Sequence, residues 1–336
     1  MTQDAVLVTG ATGHIGNVLV RRLIVKGEKV RALILPGEDT NALNGLDVEK
    51  AEGDVLDLSS LRESFRGVRK VFHLAGVISI MPGENSLMRR INVEGTVNVL
   101  KTALQSNVKR LVYTSSIHAL ARVPHGRPVD ENVPYDRENP YGAYDRSKAE
   151  ATLEVQKAAA GGLDAVIVCP TGVIGPYDFR SSMMGDIIRT AAQHKATLYV
   201  DGAYDFVDVR DVADGLIAAA EKGKTGESYI LSGQQISVAA LLEAVRQITG
   251  RGFPKLKISL PLATFAARFT PLYYRLSKAS PRFTPYSLEV LQSNSVISHA
   301  KATRELGYSP RPVYESIADS IRWFFEHYRG AEAANS

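Results

Sequence analysis

Short apolar runs of strand length punctuate the first half of the chain, and amphipathic stretches of helix length separate them. Ala5–Thr9, Lys29–Leu35, Val71–Leu74, Arg110–Thr114 and Ala165–Cys169 are apolar on successive positions rather than on alternate ones. That pattern predicts strands buried on both faces of a parallel sheet. Gly16–Lys26 and Asn92–Ser106 repeat apolar positions at helical spacing and are long enough for crossover helices. Strand and helix alternating from the first residues predict an α/β fold with a doubly wound parallel sheet, the Rossmann arrangement.

After about Gly172 the rhythm loosens. Helical stretches (Val212–Glu221, Val238–Thr249, Val313–Tyr328) alternate with short strands (Thr197–Val200, Ser228–Leu231). Pro254, Pro261, Pro271, Pro281 and Pro285 break up a segment rich in Leu, Phe and Tyr. The expected division is a dinucleotide-binding unit over 1–172 and a smaller C-terminal substrate lobe over 173–330, some of whose segments return to the Rossmann sheet.

Composition narrows the function. Forty Lys and Arg against 36 Asp and Glu leave a net charge of +4, too even for a nucleic-acid footprint. Cys169, the one cysteine, permits no internal disulfide and no cysteine-built zinc cage. His14, His73 and His118 share no ligand spacing with another His, Cys or acid, so no metal is expected. The apolar stretch Ile258–Phe269 is interrupted by Pro261 and Arg268 and is too short to span a bilayer, and the first residues carry no secretory pattern. The expectation is a cytoplasmic protein acting on a small molecule, with no integral membrane segment and with homodimerisation open.

The first strand runs into TGATGHIG, Thr9 to Gly16, which opens a helix. Gly10 permits the tight turn, Gly13 lets backbone approach a pyrophosphate, and Gly16 allows helix and strand to pack closely. The helix N-terminus then offers free N–H groups to the phosphates. Three glycines at this spacing occur by chance in about one chain of this length in six, so position after a buried strand carries the signal. The second strand ends in Leu35-Pro36-Gly37 with no acid at its tip, and Glu38 and Asp39 follow only beyond the turn. The missing acid tilts the cofactor toward NADP(H), with NAD(H) the other option. Asp54, at the end of a third strand in EGDVLD, is either an acceptor for the adenine amino group or a turn aspartate.

Tyr144 and Lys148, in YDRSK, share a helix face and place an ammonium near a phenol, a pairing that lowers the phenol pKa toward an acid/base range. A Tyr-x-x-x-Lys pair alone is cheap, with roughly 0.6 expected by chance. The chain holds a second, Tyr274 and Lys278, in the proline-broken segment and read as a decoy. Ser115 and Ser116 end the fifth strand on the ligand side of the sheet, where one hydroxyl can bond a substrate oxygen beside Tyr144. His73 reads as structural, and Asn92 as a structural hydrogen-bonder or part of a proton relay.

Together these residues resemble the extended short-chain dehydrogenase/reductase superfamily, the NAD-dependent epimerase/dehydratase family. The branch is similar to dihydroflavonol reductases, 3β-hydroxysteroid dehydrogenases and hopanoid-associated epimerase-like proteins. The likeness runs through GDVLD, VFHLAG, NVEGT, TSS, YDRSK, CPTGVIGP and DFVDVRDVA in order. It implies Tyr144 as acid/base, Lys148 as a ligand of the nicotinamide ribose, and Ser116 as the group orienting the carbonyl. It also implies cofactor contacts from Gly10, Thr12, Gly13, His14, Ile15 and Gly16, from Asp54 and Val55, from Leu74, Ala75 and Gly76 after His73, and from Pro170. Relatives that bind a 2′-phosphate often carry an Arg where this chain has Leu35.

Nucleotide-sugar members usually carry a diphosphate-gripping Arg where this chain has Tyr204, and sugar dehydratases an Asp-Glu pair where it has Ile117-His118. Val77–Met81, Val173–Ile174, Met183–Met184 and the Leu, Phe and Tyr residues between Leu256 and Leu291 suit an apolar substrate wall, or simply a lobe core. Arg180, Arg210 and Arg268 remain as phosphate ligands from another direction. The leading expectation is an NAD(P)-dependent oxidoreductase for a carbonyl or alcohol of a bulky, apolar molecule. The alternatives are a nucleotide-sugar epimerase or dehydratase, and a non-catalytic NAD(P)-binding redox sensor.

Overall fold

The computed structural model describes residues 4–81, 83, 85–270 and 284–334. In the first half, β1 (Ala5–Thr9), β2 (Lys29–Ile34), β3 (Glu49–Glu52), β4 (Val68–His73), β5 (Arg110–Thr114) and β6 (Ala165–Pro170) lie parallel, with β10 (Ser228–Leu231) beside β6. The sheet order β10-β6-β5-β4-β1-β2-β3 reverses between β1 and β4, and ligands of such sheets sit at the strand ends beside that reversal. The apolar runs are strands because both faces are covered: β5 and β6 are buried along almost their whole length. The third strand, expected to end at Asp54, ends at Glu52, and β3 (EKAE) carries no hydrophobic pattern because it is a largely exposed edge strand.

On one face α1 (His14–Val25) packs beside α7 (Val209–Lys222). On the other lie α2 (Leu58–Ser64), α4 (Thr96–Gln105) and α5 (Ala143–Ala160), with the short α3 (Ser86–Arg89) leading through a wide turn, Arg90–Gly95, into α4.

The remaining elements build two small sheets. One is β11 (Gln234–Ser237), β9 (Ala203–Asp208) and β7 (Gly172–Ile174); the other is β8 (Thr197–Val200) beside β12 (Lys255–Ile258). Around them pack α6 (Met183–Ala192), α8 (Val238–Thr249), α9 (Leu260–Ala267), α10 (Pro285–Gln292) and α12 (Val313–Ala334), while α11 (Ala300–Leu306) packs back beside α7 and β10. Pro285 enters at the first turn of α10, where its missing N–H costs nothing, so this proline starts a helix rather than breaking one.

At the end of β1 the chain makes its tightest approach. Gly10 has φ +68°, and a Cβ on it would meet Leu74 and Ala75 backbone at 2.8 Å. A Cβ on Gly16 would sit 2.0 Å from Gly10 O, and both obstacles are backbone. Gly16→Ala is therefore expected to lower stability by ~2–3 kcal/mol in thermal denaturation. Gly13→Ala, at φ −70° with Gly10 O 3.3 Å from the new Cβ, should stay within about 1 kcal/mol.

Candidate active site

Gly13 caps α1 without a side-chain hydrogen bond, and no acid stands in the first turn, so the positive end of the helix is uncompensated. Thr9 Oγ1 accepts from Leu74 N (3.2 Å) and Ala75 N (3.0 Å), which draws the segment after β4 against the glycine turn. Gly76 continues it: a Cβ there would press on Asn92 Oδ1 at 3.2 Å. The loop after β7 closes the other side, since His14 donates to Pro176 O at 2.9 Å and Asn17 to Tyr177 O at 3.1 Å. A trough floored by glycines and N–H groups, which side chains would fill, fits a dinucleotide pyrophosphate.

His73, fully buried, anchors this end of the sheet. Thr9 Oγ1 lies 2.7 Å from its Nδ1 and Thr96 Oγ1 3.0 Å from its Nε2. Thr96 spends its one proton on Asn92 O (2.6 Å), so Nε2 must donate and Nδ1 accept, which assigns a neutral ring. Burial, with the nearby Lys148 charge, pushes the His73 pKa down to about 3. Asn92 then ties Val77 (N to Oδ1 2.7 Å, O to Nδ2 2.9 Å) to Ser147 Oγ (2.9 Å) in α5.

The two serines separate. Ser115 Oγ lies 2.6 Å from Thr152 Oγ1 in α5 and is structural. Ser116 caps the turn Ile117–Ala119, its Oγ accepting from His118 N at 3.2 Å, and its hydroxyl favours the charged form of the Tyr144 phenol. Lys148 shares the inner face of α5 with Tyr144, but its ammonium donates to Thr114 O (2.6 Å) and lies 4.6 Å over the Tyr113 ring. Burial therefore dominates both groups. It raises the Tyr144 pKa to about 12, against the Ser116 hydrogen bond, and lowers Lys148 to about 7. The Tyr144 pKa is thus raised, in contrast to the expected lowering. Pro170 ends β6 beneath this group, and the second pair, Tyr274 and Lys278, lies outside the described residues.

Asp54 is engaged as a turn aspartate, its Oδ1 accepting from Leu56 N at 2.9 Å, while Val55 O accepts from Asn98 at 3.1 Å. The tip of β2 differs from the linear reading. Pro36-Gly37, with Gly37 at φ +77°, forms a turn closed by Glu38 N to Leu35 O at 2.9 Å. The turn folds Glu38 back, so its carboxylate accepts from Leu35 N (3.0 Å) and Thr12 (2.6 Å) and pairs with Arg180. Burial works against that charge, but the hydrogen bonds from Thr12, Leu35 and Arg180 hold the carboxyl below its usual range. An acid does stand at the strand tip, and the Pro-Gly pair was the signal for it.

Tyr204 and His118, far apart in the chain, meet here: Tyr204 Oη is 2.7 Å from His118 Nε2, and the rings stack 5.8 Å apart. His118 lies edge-on to Tyr144, centroids 6.3 Å apart. Behind it Tyr286 donates to Asp145, which Arg122 also holds at 3.2 Å while pairing with Glu289. Since Tyr286 gives its proton to Asp145, His118 Nδ1 faces an acceptor at 3.4 Å, and Nε2 is left to accept from Tyr204. Burial and the Arg122 charge push His118 down to about 3, and burial raises Asp145 to about 6. Tyr286 and Arg122 carried no sequence signal, because only the fold brings α10 to α5. Ile174 and Met184 belong to the lobe core rather than to this wall.

A doubly wound sheet whose first turn admits only glycine at residues 10 and 16, with Ser, Tyr and Lys gathered where the strands end, defines a nicotinamide-dinucleotide oxidoreductase. The sequence matches the NAD dependent epimerase/dehydratase family over residues 6–232, and the chain belongs to that family, the extended short-chain dehydrogenases/reductases. It is 37% identical to the "Sterol demethylase protein B" of Methylococcus capsulatus, covering 95% of this chain and 98% of that protein. It is 34% identical to a "Putative dihydroflavonol 4-reductase" of Synechocystis sp., covering 96% and 95%. The crystal structure of gox2253 is similar at TM-score 0.84 and 35% identity, covering 96% of this chain and 98% of that one. Among the described residues no helix is long and apolar enough to cross a membrane.

His73 is held neutral in the fold but binds a proton when unfolded, near its ordinary 6.5. Its contribution to stability is complete above that value and is lost as pH falls toward 3. Chemical denaturation between pH 7.5 and 5, on the order of the unfolded histidine range, should show a shallower loss in His73→Asn than in the wild type.

Proposed function

We propose that the protein moves a hydride between nicotinamide and a carbonyl or hydroxyl carbon of a bulky, largely apolar substrate, as a dihydroflavonol reductase-like or hydroxysteroid dehydrogenase-like enzyme. The observation that carries this reading is the Tyr204–His118 contact, 2.7 Å long, beside Tyr144. Where a nucleotide-sugar enzyme would present a cation and a pair of acids, this wall presents a phenol and a neutral imidazole. Neither compensates a diphosphate. Two near-full-length relatives, named a sterol demethylase protein and a dihydroflavonol 4-reductase, point the same way.

In this mechanism residues 1–172 would hold the dinucleotide and 173–330 would shape the substrate side. Gly10, Gly13 and Gly16, with Thr12, His14 and Ile15, would carry the pyrophosphate. Asp54 and Val55 would flank adenine, Leu74–Gly76 and Pro170 the nicotinamide, and Lys148 its ribose. When bound, the nicotinamide supplies or accepts the hydride. Ser116 orients the substrate oxygen through its hydroxyl, and Tyr144 gives that oxygen a proton in reduction or takes it in oxidation. The high phenol pKa keeps Tyr144 protonated near neutral pH, which suits it to the acid role.

Tyr144→Phe should cut turnover ~10²–10⁴-fold while leaving cofactor affinity unchanged, because only the transferable proton is lost. The substrate class is read by thermal shift with cofactor present. Hydrophobic ketones and alcohols should stabilise the protein, and stabilisation by UDP-glucose, UDP-galactose or GDP-mannose alone would sink the reading in favour of an epimerase.

For the dinucleotide, residue 35 favours NADP(H) by lacking an acid, whereas Glu38 supports NAD(H) by offering a carboxylate to the ribose diol. We take Glu38 as the stronger influence, because hydrogen bonds hold it charged. Glu38→Gln, which leaves Arg180 unopposed, should shift relative affinity toward NADPH by about tenfold in calorimetric titration. An unchanged NADH/NADPH ratio would place the selection elsewhere.

A further inference from the structure

The helix α9 is built inside out. Its sequence LPLATFAA turns the small residues Ala263 and Ala267 onto the core and the large ones away from it. Leu262, Phe265 and Phe269 are exposed by 59%, 60% and 59%. Residues 262, 265 and 269 stand three and four apart and form one stripe, with the two phenyl rings packed edge-on at 5.4 Å.

The surface extends beyond the helix. Leu256 of β12 is in register with Leu198 of β8, as Ile258 is with Val200. Alternate residues of a strand share a face. Val200 and Ile258 pack beneath α9, so Leu198 and Leu256 lie on that same face beside it, exposed by 64% and 53%. Large side chains this exposed, and clustered, mark an interaction surface rather than the scattered apolar residues of an ordinary exterior.

The charged residues of this stretch of sequence have one sign. From Arg251 to Leu288 the chain contains seven Lys and Arg and no Asp or Glu, three of the seven (Arg275, Lys278, Arg282) falling outside the described residues. Lys255 and Lys257 are paired with Glu243 and Asp201 from neighbouring elements. Arg251 and Arg268 form no ion pair among the described residues, and Arg268 closes α9 between Phe265 and Phe269. A second copy of this chain seated on the face by a two-fold axis would bring the same cations against themselves. An anionic lipid surface accepts both the apolar side chains and the arginines.

We propose that the outward face of α9, with Leu198 and Leu256 beside it, docks the protein onto anionic membrane surfaces without crossing them. Eight residues cannot span a bilayer, but Leu262, Phe265 and Phe269 can sink to the headgroup–acyl boundary with the arginines among the phosphates. An apolar substrate would then be reached where it partitions. That purpose rests on the reading above, whereas the docking itself does not.

The test is flotation of the full chain with vesicles of phosphatidylcholine alone and with about one third phosphatidylglycerol, without substrate or cofactor. The wild type should float with the anionic vesicles and lose binding as salt rises. Phe265→Gln/Phe269→Gln should lower the partition coefficient by about tenfold or more, with an unchanged melting curve showing that the fold persists. Arg251→Glu/Arg268→Glu should erase the preference for anionic lipid. Failure of the wild type to float, or equal flotation of the phenylalanine variant, would overturn the proposal. So would light scattering that shows the phenylalanine substitutions splitting a dimer that binds no vesicle, which would assign the face to a second copy. None of these outcomes bears on substrate class, which the ketone and nucleotide-sugar panel decides by itself.

Discussion

Two stretches of backbone touching at the end of β1 are the constraint on which the site depends. Gly10 O occupies the place where a side chain at residue 16 would stand, so α1 descends onto the sheet and aims its N-terminus into the trough. From that junction a chain of hydrogen bonds crosses the sheet. Thr9 meets His73, His73 meets Thr96, Thr96 bonds Asn92 O, Asn92 reaches Ser147, and Ser147 Oγ returns to Tyr144 O at 2.8 Å. Each hydroxyl and amide in the chain has partners, and an interior network of this kind is rigid only when fully satisfied. The glycine turn and Tyr144 are thereby parts of one network.

Charge is distributed unevenly along the trough. At the β2 end, hydrogen bonds outweigh burial and keep Glu38 charged beside Arg180. At the Tyr144 end burial prevails, and His73, His118 and the phenols are held neutral. A part-buried ionic cluster there, Arg122 with Asp145 and Glu289, stands behind Tyr286 and His118. It positions the rings of the wall without offering charge to a substrate.

The C-terminal lobe does more than cover the sheet. Its loop after β7 is bonded to α1 through Pro176 and Tyr177 and to the glycine turn through Arg180, so the lobe and the glycine turn share a boundary. The segments between Leu256 and Leu291, grouped by composition as a substrate wall, part company in space. Tyr286 faces the site, Leu288 joins the core, and Leu262, Phe265 and Phe269 face outward.

The amino-acid sequence by itself determined the parallel sheet, because runs such as Leu111–Tyr113 and Val166–Val168 are apolar at every position and only burial on both faces suits them. It also determined the glycine turn and the Tyr144–Lys148 helix face, whose spacing is a property of local backbone geometry. It indicated a third strand before Asp54 and the strand Thr197–Val200, but not how the small sheets pair, because β9 and β12 find their partners in segments distant in the chain. The tertiary structure alone set Ser115 against Thr152, returned Glu38 to the tip of β2, and turned Lys148 toward Thr114. It also set Tyr204 against His118, 86 residues away in the chain. Periodicity reports which face of an element is buried, whereas partners across elements depend on how those faces are docked, and that information is not local in the chain.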